Sequence, residues 1–210
     1  YFSCGYLGFE RSWLGKLSEN NPRLQVVDLS EGLELLYGTH HHEEGHLHDG
    51  EAYPDPHIWC SPRLARRMVE TMYRALTEID PDGASVYAEN YARIDRRFAQ
   101  LDSVLTDKLR PFKGKVFAVY HPTLSYWAAD YGLRQLALEP DGKSPSPQYL
   151  RAMVDSARHV GVEVVFIQQE FDPRQAETFA REVGCRTEII NPLAYTWSEE
   201  IMRIADAFIR

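Results

Sequence analysis

Apolar residues along the chain follow two rhythms, short unbroken runs and longer stretches repeating every three or four residues, and their alternation predicts strands and helices in turn. The opening run from Tyr1 to Phe9 reads as a strand ending at glycine. A helix around Glu10 to Ser18 follows, then a strand around Leu24 to Leu29 after the break at Asn20-Asn21-Pro22. That is one βαβ unit, little for a lobe, and its first strand has no earlier element to pair with; the expectation is that the sequence lacks its beginning. Gly38 to Pro56 has no apolar periodicity and is dominated by His, Glu, Asp and Gly. It is expected to be a solvated loop, and at about 19 residues it is long enough to suggest a function.

Helical repeats dominate the middle. Ser61-Pro62 supplies an N-cap and a first-turn proline ahead of Leu64, Met68, Met72 and Leu76. Asp80-Pro81 opens a longer repeat through Tyr87, Tyr91, Ile94, Phe98, Leu101, Leu105 and Leu109, stopped by Pro111 and Gly114. Such a helix spans roughly 40 Å at 1.5 Å per residue, enough to brace two lobes. After it the pattern is regular: strand Val116 to Tyr120, helix to Tyr131, strand near Gln135 to Leu138, helix from Ser146-Pro147 to Gly161, and strand Glu163 to Ile167. A helix from Asp172-Pro173 to Gly184, a strand Thr187 to Ile190 and a helix from Ser198 complete it. The predicted class is α/β, with a parallel, doubly wound sheet in this region.

Composition narrows the function. A net charge of -8 and a pI near 5.5, with no Lys or Arg run, argue against a nucleic-acid partner, which needs a basic patch. No segment approaches the roughly 18 apolar residues of a membrane span, and the first residues lack the basic and apolar regions of a signal peptide, so the chain is expected to be soluble. Cys4, Cys60 and Cys185 are far apart and odd in number, and define neither a disulfide framework nor a CxxC knuckle. Cys60, three residues after His57, is a conceivable ligand, but a small buried cysteine is the plainer reading. The tryptophans, Trp13, Trp59, Trp127 and Trp197, read as core and lobe-interface residues rather than a stacking surface.

Of eight histidines, His40, His41, His42, His46 and His48 crowd into the acidic loop, and His57 follows in Asp55-Pro56-His57-Ile58-Trp59. Imidazole beside carboxylates points to a metal, and an internal, interrupted cluster is unlike a purification tag. In open α/β sheets ligands bind beyond the carboxyl ends of strands. The groups delivered there are His121, Glu139, Gln168 to Glu170, and Asn191. His121 precedes Pro122, which biases it to an extended backbone and keeps it out of the next helix. His159, in a last helical turn, is given no function. GxSxG, HExxH, P-loop and GxGxxG motifs are all absent.

The Asp55-Pro56-His57-Ile58-Trp59 motif, the His-acid loop before it, the long helix, and His121 followed by Tyr126-Trp127 and Tyr131-Gly132-Leu133 resemble one family. It is that of the zinc and manganese solute-binding proteins of bacterial ABC importers, especially the zinc-uptake type. The resemblance spans nearly all 210 residues. It implies two Rossmann-like α/β lobes joined by a rigid backbone helix, with a metal in the interlobe cleft: a partial amino-terminal lobe over 1–80 with the His-rich loop 38–56, a linking helix over 81–110, and a carboxyl-terminal lobe over 111–210. His57 and His121 match two of the family's histidine ligands, and another lies in a segment before the opening strand. Asn191-Pro192-Leu193 stands where the family often has Asp-Pro-Leu, so Asn191 offers only a neutral carbonyl donor. A family Glu aligns with Gln168; moved two residues along a strand it keeps its face, which makes Glu170 a substitute ligand.

The resulting expectation is a Zn²⁺-capturing protein, with zinc ahead of Mn²⁺ because histidine nitrogens favour it. It would work as a monomer in the periplasm or at the outer face of the cytoplasmic membrane, with or without a lipid anchor. It would deliver zinc to an ABC permease and perform no turnover. The loop His40 to His48 reads either as a low-affinity zinc collector or as a solvated chelating tract. Rival readings are a manganese-specific member of the same family, a zinc hydrolase with Glu170 or Glu139 as general base, and a metal-responsive adhesin or storage protein built on the loop.

Overall fold

A computed structural model describes residues 1–37, 54–139 and 145–210. They form two units, Tyr1–Gln100 and Leu101–Arg210.

In the first unit, β1 (Phe2–Ser3) and β2 (Val27–Asp28) pair in parallel across the crossover helix α1 (Gly8–Asn20). The predicted opening strand is cut to two residues because Gly5 turns the chain away at φ 85°. A Cβ there would stand 2.4 Å from the Ser30 hydroxyl and 2.8 Å from Asp28 Oδ1, so only glycine fits. Buried Glu10, in the first turn of α1, accepts hydrogen bonds from the Ser3 hydroxyl (2.9 Å) and the Cys4 amide (3.0 Å), tying helix to strand. Trp13 is not the core residue expected of it: with Phe9 and Leu17 it lies on an exposed face of α1.

Helix α2 (Pro62–Ile79) starts where the capping signal predicts: Ser61 Oγ accepts from the Leu64 amide at 3.0 Å and Pro62 opens the first turn. A 3₁₀ turn, Pro81–Gly83, leads into α3 (Ala84–Leu109). The guanidinium of Arg66 donates twice to Asp95, at 2.5 and 2.8 Å, and Tyr73 stacks on Tyr91 at 4.7 Å, fastening α2 to α3.

The second unit contains the end of α3, whose Leu105 and Leu109 are fully buried, and then alternates β3 (Val116–Val119), α4 (Ser125–Asp130), β4 (Arg134–Ala137), α5 (Pro147–Val160), β5 (Val164–Gln168), α6 (Arg174–Val183), β6 (Arg186–Ile190) and α7 (Trp197–Phe208). The four strands are parallel in the order β4-β3-β5-β6. β5 is buried at every position, which is why it reads as an unbroken apolar run. Ala118, Val165 and Ile167 pack with Ala157, Ala176 and Phe179 from α5 and α6. On the opposite face Phe117 meets Trp127 (5.8 Å), Phe166 (5.6 Å) and Phe208 (6.0 Å) edge-on. The last helix begins at Trp197 rather than Ser198, with no side-chain cap. Among the described residues no helix is long and apolar enough to cross a membrane.

Candidate metal centre

The first candidate is a local construction. The Asp55 amide donates to Leu36 O (2.7 Å), and Tyr37 and Pro54 form an antiparallel bridge, so the chain is pinned immediately before the Asp55-Pro56-His57 turn. Asp55 Oδ1 then receives two hydrogen bonds from His57, from its main-chain N–H (2.9 Å) and from ring Nδ1 (2.6 Å). The turn continues as the 3₁₀ segment Ile58–Cys60, and Trp59 meets the His57 ring edge-on at 5.3 Å. With both side chains largely shielded from solvent, the ring has little freedom.

The second candidate is built by the sheet. Val119 pairs with Ala137 on one side and Phe166 on the other. Two residues further along each chain, on the same face, come Glu139, His121 and Gln168. Ladder bonds carry the register past the strand ends: Tyr120 N donates to Phe166 O (2.8 Å), and Glu139 N to Tyr120 O (2.9 Å). The His121 Nδ1 consequently meets the buried carboxylate of Glu139, and its ring stacks on Phe171 at 5.5 Å. This row sits at a topological switch point, because β3 is followed by α4 towards β4 on one side while β5 is followed by α6 towards β6 on the other. Ligands of open α/β sheets bind at that crevice.

Both histidines thus share one arrangement, with Nδ1 held by a carboxylate. The carboxylate requires the hydrogen on Nδ1, which leaves the lone pair on Nε2 as the donor atom. This is how metal-binding imidazoles are characteristically supported. Among the described residues no three His, Cys, Asp or Glu side chains cluster closely enough to hold an ion alone. Each unit supplies one supported imidazole.

The other candidates are placed by contacts of their own. Glu170 was assigned to the face of Gln168 by strand alternation, but β5 ends at Gln168, and Phe171 N donates to Gln168 O across a turn (3.0 Å). The period-two argument therefore does not reach Glu170, which is exposed. Asn191 Oδ1 accepts from the Leu193 amide (3.1 Å), and its own N–H donates to buried Glu200 (2.7 Å). Cys60 is fully buried, and burial, with the Asp55 charge adding to it, pushes its thiol far up. Burial, with Glu10 and Asp28 nearby, raises the Cys4 thiol to about 11. His159 is exposed in the last turn of α5. His40, His41, His42, His46 and His48 lie outside the described residues. The supporting residue that strand reading passed over most completely is Thr123, reached by the Gln168 amide at 2.7 Å; Asp55 was visible only as part of a motif.

The profile of the family described as zinc-uptake complex component A, periplasmic, matches residues 1–207. The chain is 28% identical over 201 residues to zinc-binding lipoprotein AdcA of Streptococcus pneumoniae (strain ATCC BAA-255 / R6), covering 90% of this chain and 39% of that protein. It is 29% identical over 180 residues to the high-affinity zinc uptake system protein ZnuA of Bacillus subtilis (strain 168), covering 83% of this chain and 56% of that protein. It therefore spans less than two thirds of the length of either. A crystal structure of ZnuA superposes with a TM-score of 0.87 at 32% identity, over 99% of this chain and 76% of that one.

Proposed function

The chain belongs to the periplasmic zinc-uptake component A family, and on that premise we propose that it is the solute-binding component of a bacterial ABC importer, capturing Zn²⁺ outside the cytoplasmic membrane and delivering it to the permease. Zinc is its cargo, not a reagent. The observation that carries this reading is the pairing of each of two histidines, His57 and His121, with a carboxylate on Nδ1. That support aims Nε2 outward as a nitrogen donor, and nitrogen donors favour zinc over manganese. The carboxylates of Asp55 and Glu139 also offset the charge of an incoming cation. Glu170 and Asn191 are secondary oxygen donors in this reading. The His40 to His48 segment collects zinc without forming the tight site.

The protein acts as a monomer, tethered by lipid or free, and performs no turnover. Isothermal titration with a competing chelator is expected to show one tight zinc site. His57→Ala and His121→Ala should each weaken it by more than the roughly 10–100-fold that losing a supporting hydrogen bond costs. Full affinity in both variants would sink the proposal. Metal-dependent cleavage of ester or amide substrates would instead favour a hydrolase, and loss of the tight site on deleting residues 40–50 would favour a loop-based storage protein.

A further inference from the structure

We propose that Gln168 is a positioning residue for zinc capture, whose side-chain amide clamps the main chain at His121. The inference rests on His121 being a zinc ligand.

Gln168 is 1% exposed and closes the last row of the sheet. Its Nε2 donates to His121 O and to Thr123 Oγ1, both at 2.7 Å, while its Oε1 accepts from His121 N at 3.3 Å. The orientation of the amide is forced by chemistry: a main-chain carbonyl can only accept and a main-chain N–H can only donate, so nitrogen must face one and oxygen the other. The reason for the clamp lies in the next residue. In the β3–β5 ladder Tyr120 N donates to Phe166 O, and the following rung would come from residue 122. That residue is Pro122, which has no N–H. The main-chain ladder therefore stops one residue short of holding His121, and Gln168 O turns instead to Phe171 N (3.0 Å). The side-chain amide instead bonds both main-chain groups of His121, whose O also accepts from Thr123 N (2.7 Å). Glu139 fixes the imidazole ring, Gln168 fixes the backbone that carries it, and the two constraints together set the direction of Nε2.

Methionine and leucine are close to glutamine in size and make none of the three bonds.

The test uses protein in which His40, His41, His42, His46 and His48 are replaced by asparagine, so that the accessory segment does not report. Gln168→Met and Gln168→Leu are each made alone and with His121→Ala, folding is checked by circular dichroism, and zinc affinity and the Co²⁺ absorption spectrum are read. Either folded variant suffices. A roughly 10–100-fold loss of zinc affinity with an altered cobalt spectrum is expected, and no further loss when His121 is already alanine. Unchanged affinity and spectrum in both variants, or an equal loss with and without His121, would overturn the clamp while leaving the zinc reading intact. Unchanged affinity in His121→Ala would remove His121 from the ligands and overturn this inference, while the zinc reading falls only if His57→Ala keeps full affinity as well.

Discussion

His57 and His121 acquire the same support by different routes. Asp55 stands two residues before its histidine and reaches it within a single turn, whereas Glu139 is eighteen residues from His121 and arrives only through strand register. The first arrangement is written in the Asp55-Pro56-His57 motif; the second exists only once β3 and β4 have paired. Glu170 shows the converse, since alternation predicted its face correctly for a strand that stops two residues too early to carry it. Glu200 presents a further single-residue consequence. Burial raises its carboxyl, but hydrogen bonds from Arg203 and from the Asn191 amide outweigh burial and hold it below the ordinary value of 4.5. A carboxyl lowered on folding contributes stability that is fully present above its unfolded value and is lost as pH falls through the folded one. Urea denaturation at a series of pH values should show stability declining below about pH 4.5, with a shallower decline in Glu200→Gln; identical slopes would contradict this.

At the scale of elements, starts were more legible than ends. Ser61-Pro62 and Ser146-Pro147 open α2 and α5 as predicted, with Ser61 Oγ and Ser146 Oγ accepting the Leu64 and Tyr149 amides, because a cap is satisfied within four residues. Ser61→Ala is expected to cost about 1 kcal/mol in chemical denaturation. It should leave zinc affinity less affected than Gln168→Met does, since the cap serves the helix after His57 rather than the histidine itself. Strand ends were less legible. β1 stops at Ser3 because Gly5 must pass Asp28 and Ser30, a contact with a segment far along the chain. Likewise Trp13 reads as a core or lobe-interface residue and lies exposed beside Phe9 and Leu17 on α1.

For the whole molecule, a ligand that binds only the folded chain must stabilise it by mass action. Zinc at about a hundred times its dissociation constant should add about 2.7 kcal/mol, seen as a rise in melting temperature. The rise should vanish in the His57→Ala, His121→Ala double variant, and its persistence there would place the stabilising site elsewhere. The amino-acid sequence by itself determined the α/β class, the alternation of the second unit, the helix starts and the two histidines. These follow from periodicity, capping and a compact motif, all local properties. Tertiary structure alone decided that Glu139, His121 and Gln168 form one row at the carboxyl edge of the sheet, that β5 ends before Glu170, and that the amide of Gln168 bonds both main-chain groups of His121. Those facts depend on which strands lie side by side and in what register, and register is set by packing between residues remote in the chain.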